Sequence, residues 1–348
     1  MNALENVIRD IIATQGAISM AAYMELAMMH PVYGYYRTHE PLGREGDFIT
    51  SPEVSQLFGE MLGVWCVEAW KEIGSPDSFA LVEFGPGRGT MMQDILRSTA
   101  KVGGFHAAKK LYLVDSNETL RKLQQEALKD YAPQYIDDIS QIPQMPVLII
   151  ANEFLDALPV RQFEKTFQGW AERMVTVENG ALTMALRPLT EMENKLIPPT
   201  RSGAMPGAVF EFSPQAQSLV RELSREIVSR KGAMLLIDYG YMIPSGSSTV
   251  QAVSRHAATD VFERPGEVDL TVHIDFAALS RAASEGGARV SQVVGQGEFL
   301  KNCGIEIRAN SLKTHATDKQ AIEIDSALGR LIDDEQMGSL FKVIEIKE

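Results

Sequence analysis

Cysteine is nearly absent, with only Cys66 and Cys303 in 348 residues. Two distant thiols cannot build a disulfide framework, and neither sits in a metal-ligand spacing. A stapled scaffold and a metal site are therefore not expected, and both thiols read as buried and free in a reducing compartment. Long hydrophobic runs are lacking as well. The longest, Val147–Ile150 and Ala233–Ile237, are strand-sized and far short of the roughly 20 residues of a spanning helix, so no membrane insertion is expected. The N-terminus has no basic segment, apolar core or cleavage site, which makes the cytoplasm the expected location. Positive charge is in deficit: 33 Lys and Arg face 46 Asp and Glu, a net charge of −13, and no basic cluster interrupts it. Such a surface repels a phosphate backbone, so nucleic acid is not an expected partner, and its field favours a cationic acceptor such as an Arg or Lys side chain.

What is present is an ordinary globular composition, 45% hydrophobic and 23% charged, enough for a sizeable core. Leu4, Val7, Ile8, Ile11 and Ile12 recur at helical spacing, and Ser19 caps a second helix that His30-Pro31 stops. Ser51-Pro52-Glu53 opens a long helix expected to reach about Ile73. From residue 79 strands and helices alternate: Phe79–Phe84, Thr90–Arg97, Leu111–Val114, Asn117–Lys129, Val147–Ala151. That alternation predicts an α/β fold with a doubly wound parallel sheet. It breaks at Val160–Pro188, where three strand-like stretches are separated by Gly169 and by Asn179-Gly180, a hairpin signal, so an antiparallel β insertion is expected there. A helix over 214–229, strand 234–238, a Gly/Ser-rich loop over 240–248, a helix over 273–284 and strands 289–294 and 341–346 complete the pattern. The expected division is an N-terminal helical extension over 1–75 and the main domain over 76–348, with the insertion at about 160–210.

Four segments carry chemistry. In Leu81–Thr90 a buried strand ends in Glu83-Phe84, the glycines Gly85, Gly87 and Gly89 follow, and Thr90 opens a helix. Glycines let the backbone turn tightly and approach a ligand where a Cβ would collide. By itself this could be an ordinary strand-to-helix turn. A second strand then ends at Asp115, whose carboxylate can accept both ribose hydroxyls of an adenosine-type cofactor or simply cap the next helix. A dinucleotide loop reads Gly-x-Gly-x-x-Gly and faces a pyrophosphate, which Glu83 would repel; a sulfonium and an amino group would be attracted. The loop therefore favours S-adenosylmethionine over NAD. In the second segment Asn152, Glu153 and Asp156 follow the strand Val147–Ile150 and are expected to face the transferred methyl group. In the third, Asp238 and Tyr239 end another strand and could wall the far side. In the fourth, Gly46–Glu53 feeds a helix N-terminus at Ser51, whose N–H groups could bind the methionine carboxylate.

Together the segments HPVYGYY (30–36), GDFITSPEVSQLFGE (46–60), EFGPGRGTMMQDILR (83–97), ANEFLDALPVRQF (151–163), IDYGY (237–241), PGEVDLTVHIDFAAL (265–279) and QGEFLKNCGI (296–305) are similar to the MidA-like family of S-adenosylmethionine-dependent methyltransferases, in order and over nearly the whole chain. The family includes a mitochondrial protein arginine methyltransferase that acts in respiratory complex I assembly. The resemblance implies a class I, Rossmann-like methyltransferase fold with an N-terminal helical extension. It implies that Gly85, Gly87 and Gly89 cradle the cofactor and that Asp115 holds its ribose. The family often carries Glu at the Asp115 position, Phe where Leu155 stands, and Gly-Asp where Ser247-Ser248 stands, so no acidic role transfers to that last pair.

The expected activity is protein arginine N-methylation, with an arginine side chain of a protein as acceptor. A guanidinium arrives charged, so carboxylates must orient it. Glu153 and Asp156 are the expected clamp and Asp238 the alternative, with Tyr239 and Phe154 packing on the guanidinium plane. Three rivals stand beside this reading. An NAD-dependent oxidoreductase would need the absent third-glycine spacing. A non-catalytic assembly factor would use the 160–188 strands as a partner or homodimer surface. A small-molecule methyltransferase would need a deep closed pocket.

Overall fold

The structure, a computed structural model, describes residues 2–38, 50–254 and 257–348. Its described residues fall into two compact units. One lies within Leu42–Leu155, Ser218–Met242 and Ile274–Glu348, the other within Met1–Pro41, Asp156–Gln217 and Ile243–His273.

The first unit is built on one sheet. Its strands are β1 (Phe79–Phe84), β2 (Lys109–Val114), β3 (Gln134–Ile136), β4 (Val147–Asn152), β5 (Gly232–Tyr241) and β6 (Phe341–Lys347). They stand in the order β3-β2-β1-β4-β5-β6, and the short strand Arg289–Val290 flanks β6. β1 to β5 run parallel, and β6 is antiparallel to β5. Every residue of β1 and β4 is buried. This is the pattern of central parallel strands covered on both faces, and it explains why Phe79–Val82 and Val147–Ala151 are continuous apolar runs and not alternations. The strand order reverses between β1 and β4, which makes their C-terminal ends the ligand crevice of a doubly wound sheet. Register aligns those ends: Phe84 pairs with both Val114 and Ala151, and Asn152 pairs with Ile237. Asp115, Gly85, Glu153 and Asp238 thus follow one another along a single edge.

The core below that edge packs Leu81, Leu113, Ile150 and Leu235 against Trp65, Trp70, Phe79 and Phe105. The helix expected over 51–73 is two helices, α1 (Ser51–Val54) and α2 (Gln56–Glu72). Ser55 breaks it in an extended conformation, φ −165° and ψ 145°, and its hydroxyl accepts the Leu57 N–H as the cap of α2. Further along are α3 (Thr90–Thr99), α4 (Glu118–Ala127), α5 (Gln296–Asn302), α6 (Ile305–Lys313) and α7 (Asp318–Ile332). Arg289–Val290 runs antiparallel to β6, and β6 begins at Phe341 opposite Tyr239. The α5–α7 segment between them therefore sits at the C-terminal edge, on the ligand side.

The second unit holds the expected antiparallel insertion. Arg161–Thr166, Gly169–Glu178 and Ala181–Pro188 form a meander, extended by Ile18–Ser19 and Val209–Phe212. Asn179 and Gly180 turn the second hairpin at φ 49° and 78°, the left-handed pair that matches strand twist. Helices Ala3–Gln15 and Met20–Met29, capped by Asn2 and Ser19, bury Leu4, Ile8, Tyr23 and Met24 with Val160 and Val175 of the insertion. A separate three-stranded sheet, Ala257–Thr259, Gln251–Ser254 and Asp269–Thr271, follows. Its strands are only three or four residues long, too short to register as a sequence pattern.

Candidate active site

The turn after β1 is left-handed three times, at Gly85 (φ +64°), Gly87 (+54°) and Gly89 (+85°), where an L side chain is strained. The Gly85 N–H donates to the Val114 carbonyl at 3.0 Å and the Gly89 N–H to the Pro86 carbonyl at 2.8 Å. A Cβ on Gly85 would lie 2.9 Å from Cδ2 of Phe154, so glycine there keeps a ledge open between the two loops. The α3 helix begins directly at Thr90, and Gly89 supplies no side-chain cap. Its leading N–H groups form a positive helix terminus at the loop. The Thr90 hydroxyl donates to Oε1 of Glu53 at 2.8 Å.

Across the ledge, the strand β4 delivers Glu153 in a left-handed conformation, φ 50°. A non-glycine residue held there stores strain of order 1–3 kcal/mol, and such strain gathers at functional sites. Three bonds fix it. Its N–H donates to the Ile237 carbonyl at 2.9 Å. Its Oε1 accepts the Ser51 N–H at 2.9 Å and Nδ2 of Asn152 at 3.0 Å. Ser51 in turn is buried, and its hydroxyl donates to Oε1 of Gln296, whose amide holds the Leu331 carbonyl at 3.0 Å. The first N–H of α1 is thus engaged by a carboxylate of the protein itself. Residues 46–49 of that expected anion site lie outside the described residues.

Glu53, Glu83, Gly85, Thr90, Asn152 and Glu153 line a cavity of about 60 Å3, room for a small polar group. Glu83 is buried, and burial together with the neighbouring Asp115 charge pushes its carboxyl up to about 8. Among the described residues, Oε2 of Glu83 and Oδ1 of Asn152 are buried with no hydrogen-bond partner. Buried acceptors without donors are costly unless a ligand supplies the donors. Glu53 also lines a larger open groove of about 960 Å3 between α1 and the α6–α7 pair.

Asp115, half-buried, accepts the Asn117 N–H at 2.7 Å and Nε2 of Gln124 at 2.7 Å. Asp238 is buried, and its two oxygens accept the Leu155 and Tyr239 N–H groups at 3.0 and 2.9 Å. It ties the loop after β4 to the end of β5 and does not line the cavity. The Tyr239 ring meets Phe341 edge-on at 5.6 Å inside the core, whereas Phe154 meets Phe84 at 5.5 Å beside the ledge. Asp156 belongs to the other unit, where its carbonyl accepts the Val272 N–H. Glu53 entered the sequence reading only as part of the loop that opens the helix, and two residues escaped it: Gln124 and Gln296. Only the segment QGEFL hinted at the last.

The residues fit S-adenosylmethionine. The unsatisfied Glu83 and Asn152 oxygens match its amino donors, the Gly85 ledge admits a close backbone approach, and Asp115 stands one strand over for hydroxyls. Fold and loop together define a class I methyltransferase that uses S-adenosylmethionine. The comparisons agree. Residues 61–294 match the family Methyltransf_28, described as "Putative S-adenosyl-L-methionine-dependent methyltransferase". A crystal structure from Burkholderia thailandensis bound to S-adenosyl-homocysteine superposes with a TM-score of 0.87 at 30% identity, over 99% of this chain and 92% of that one. The chain belongs to the family that includes protein arginine methyltransferase NDUFAF7. It is 34% identical to the Xenopus tropicalis protein over 99% of this chain and 86% of that protein. It is 33% identical to the Homo sapiens protein over 86% and 73%. Both relatives are mitochondrial, which overturns the cytoplasmic expectation. That expectation rested on features missing from one end of the chain, whereas the relatives match along its body.

Proposed function

We propose that the chain methylates an arginine side chain of a protein. The observation that carries this is Glu153, in a left-handed backbone beside the glycine loop, its N–H bonded to the Ile237 carbonyl and its carboxylate accepting from Ser51 and Asn152. S-adenosylmethionine, when bound, supplies an electrophilic methyl group on a sulfonium. Glu83 and Asn152 accept its ammonium hydrogens, the glycine loop takes its methionine end, and Asp115 accepts the ribose hydroxyls. A guanidinium enters charged, and Glu153 pairs with the nitrogens that do not react, which turns the third toward the methyl carbon. Alignment of this kind supplies much of the acceleration in a displacement at an already activated centre. The same carboxylate gives the proton released on transfer a nearby acceptor. Phe154 offers a face for the guanidinium plane. Asp238 serves by holding the loop, and no contact with the acceptor is assigned to Asp156.

The relatives from Xenopus tropicalis and Homo sapiens are named protein arginine methyltransferases, which supports this acceptor. The groove that shares Glu53 with the cavity is open, with about 960 Å3 of space, and an acceptor carried on a protein needs such access. The family resemblance extends the proposal to an arginine of a respiratory complex I subunit and to a role in assembling that complex. The test is transfer of labelled methyl from the cofactor into protein extract of cells lacking the gene. Label in N-methylarginine supports the proposal; label only in small molecules overturns it.

A further inference from the structure

Gln124 is fully buried in the middle of α4, a position where an apolar residue packs at lower cost. Its Nε2 spends both hydrogens: one donates to the Gly87 carbonyl at 2.7 Å, the other to Oδ2 of Asp115 at 2.7 Å. Its Oε1 is buried without a partner, so the side chain is retained at a cost to stability. α4 is itself fastened to the same acid. Asn117 caps it through the Thr119 and Leu120 N–H groups, its own N–H binds Oδ1 of Asp115, and Nε of Arg121 donates to the Asp115 carbonyl at 2.6 Å. Of these contacts only the one from Gln124 also reaches the glycine loop.

We propose that Gln124 is a positioning residue for the cofactor: it locks the acid ending β2 to the glycine loop after β1, so that ribose and methionine ends are received at a fixed separation. The neutral amide donates to the carboxylate and so fixes its orientation at the end of β2, toward the ribose hydroxyls. This rests on the reading of Asp115 as the ribose acid.

The test is calorimetric. S-adenosylhomocysteine and its 2′,3′-dideoxy analogue are titrated into the full-length protein, the Gln124→Met variant, Asp115→Asn and the double variant. The wild type is expected to bind the ribo compound more tightly than the dideoxy one. Gln124→Met should weaken the ribo compound by about 10- to 100-fold, as for a lost bond to a charged group. It should also erase most of the ribo-to-dideoxy ratio and leave kcat at saturating cofactor within about 3-fold. In the Asp115→Asn background it should add less than about 3-fold, because the two residues act as one unit. If the wild type discriminates and Gln124→Met keeps the same ratio, the inference is overturned and the ribose reading of Asp115 stands. If the wild type does not discriminate, the Asp115 reading fails and the inference with it. Should the Met variant not fold, Gln124→Glu keeps size and polarity while setting a carboxylate against Gly87 and Asp115. An undiminished ratio in that variant overturns the inference equally.

Discussion

Replacing Glu83 by Gln removes a buried acid that the ligand-free protein holds protonated. Burial, reinforced by Asp115, moves this carboxyl from an ordinary 4.5 to about 8. The stability consequence has a definite sign. Below pH 4.5 the folded and unfolded chains both carry the proton. Between 4.5 and 8 the unfolded chain has lost it and the folded chain keeps it, so stability falls as pH rises, by about 1.4 kcal/mol per unit. Above 8 both are ionised and the loss levels off, at a ceiling on the order of 5 kcal/mol from the full shift. Glu83→Gln should therefore melt higher than the wild type at pH 8, with a gain that shrinks towards pH 5. Binding inverts the cost, because an ammonium or sulfonium beside the carboxylate favours its ionised form. At pH 7 roughly nine-tenths of the ligand-free molecules carry the proton, given a pKa near 8. S-adenosylmethionine binding should then release about one proton, measured by calorimetry in buffers of different ionisation enthalpy. Glu83→Gln should release none. Equal release from both proteins, or none from the wild type, refutes the reasoning.

Glu153→Gln retains an acceptor for Ser51 and Asn152 and loses the charge; kcat should fall at least about 100-fold while S-adenosylhomocysteine affinity stays within about 3-fold. Gly85→Ala combines a left-handed φ with a Cβ 2.9 Å from the Phe154 ring. It should lower the melting temperature and weaken cofactor binding by about 10-fold or more, read by calorimetry. Gln296→Leu removes the bonds to Ser51 and the Leu331 carbonyl. A loss of about 1–3 kcal/mol in denaturant unfolding is expected, together with a lower kcat through the freed Ser51–Glu153 contact.

The sheet and its glycine loop were legible because their signals are local. β1 and β4 are six-residue buried runs, and Gly85, Gly87 and Gly89 lie within five positions of each other. Asp115 could be placed because parallel strands bring successive strand ends to one edge. Gln124 could not, since its two partners lie 37 and 9 residues away and a mid-helix Gln has no pattern of its own. The same holds for Gln296, whose bond to Ser51 spans 245 residues. Ser55 interrupts a stretch whose apolar spacing runs on unbroken, so the division into α1 and α2 is invisible to periodicity. The engagement of Asp238 by two backbone N–H groups likewise depends on where β4 and β5 end relative to each other, which no local window contains.

Methylation by this protein turns on a carboxylate that orients a guanidinium. Its most direct measurement supplies isotope-labelled S-adenosylmethionine and the wild-type or Glu153→Gln protein to extract from cells without the gene, and identifies the labelled residue by mass spectrometry. One protein carrying labelled N-methylarginine, present with wild type and lost with the variant, is the predicted result. Label on any other residue or only on small molecules, or equal arginine labelling by both proteins, contradicts it.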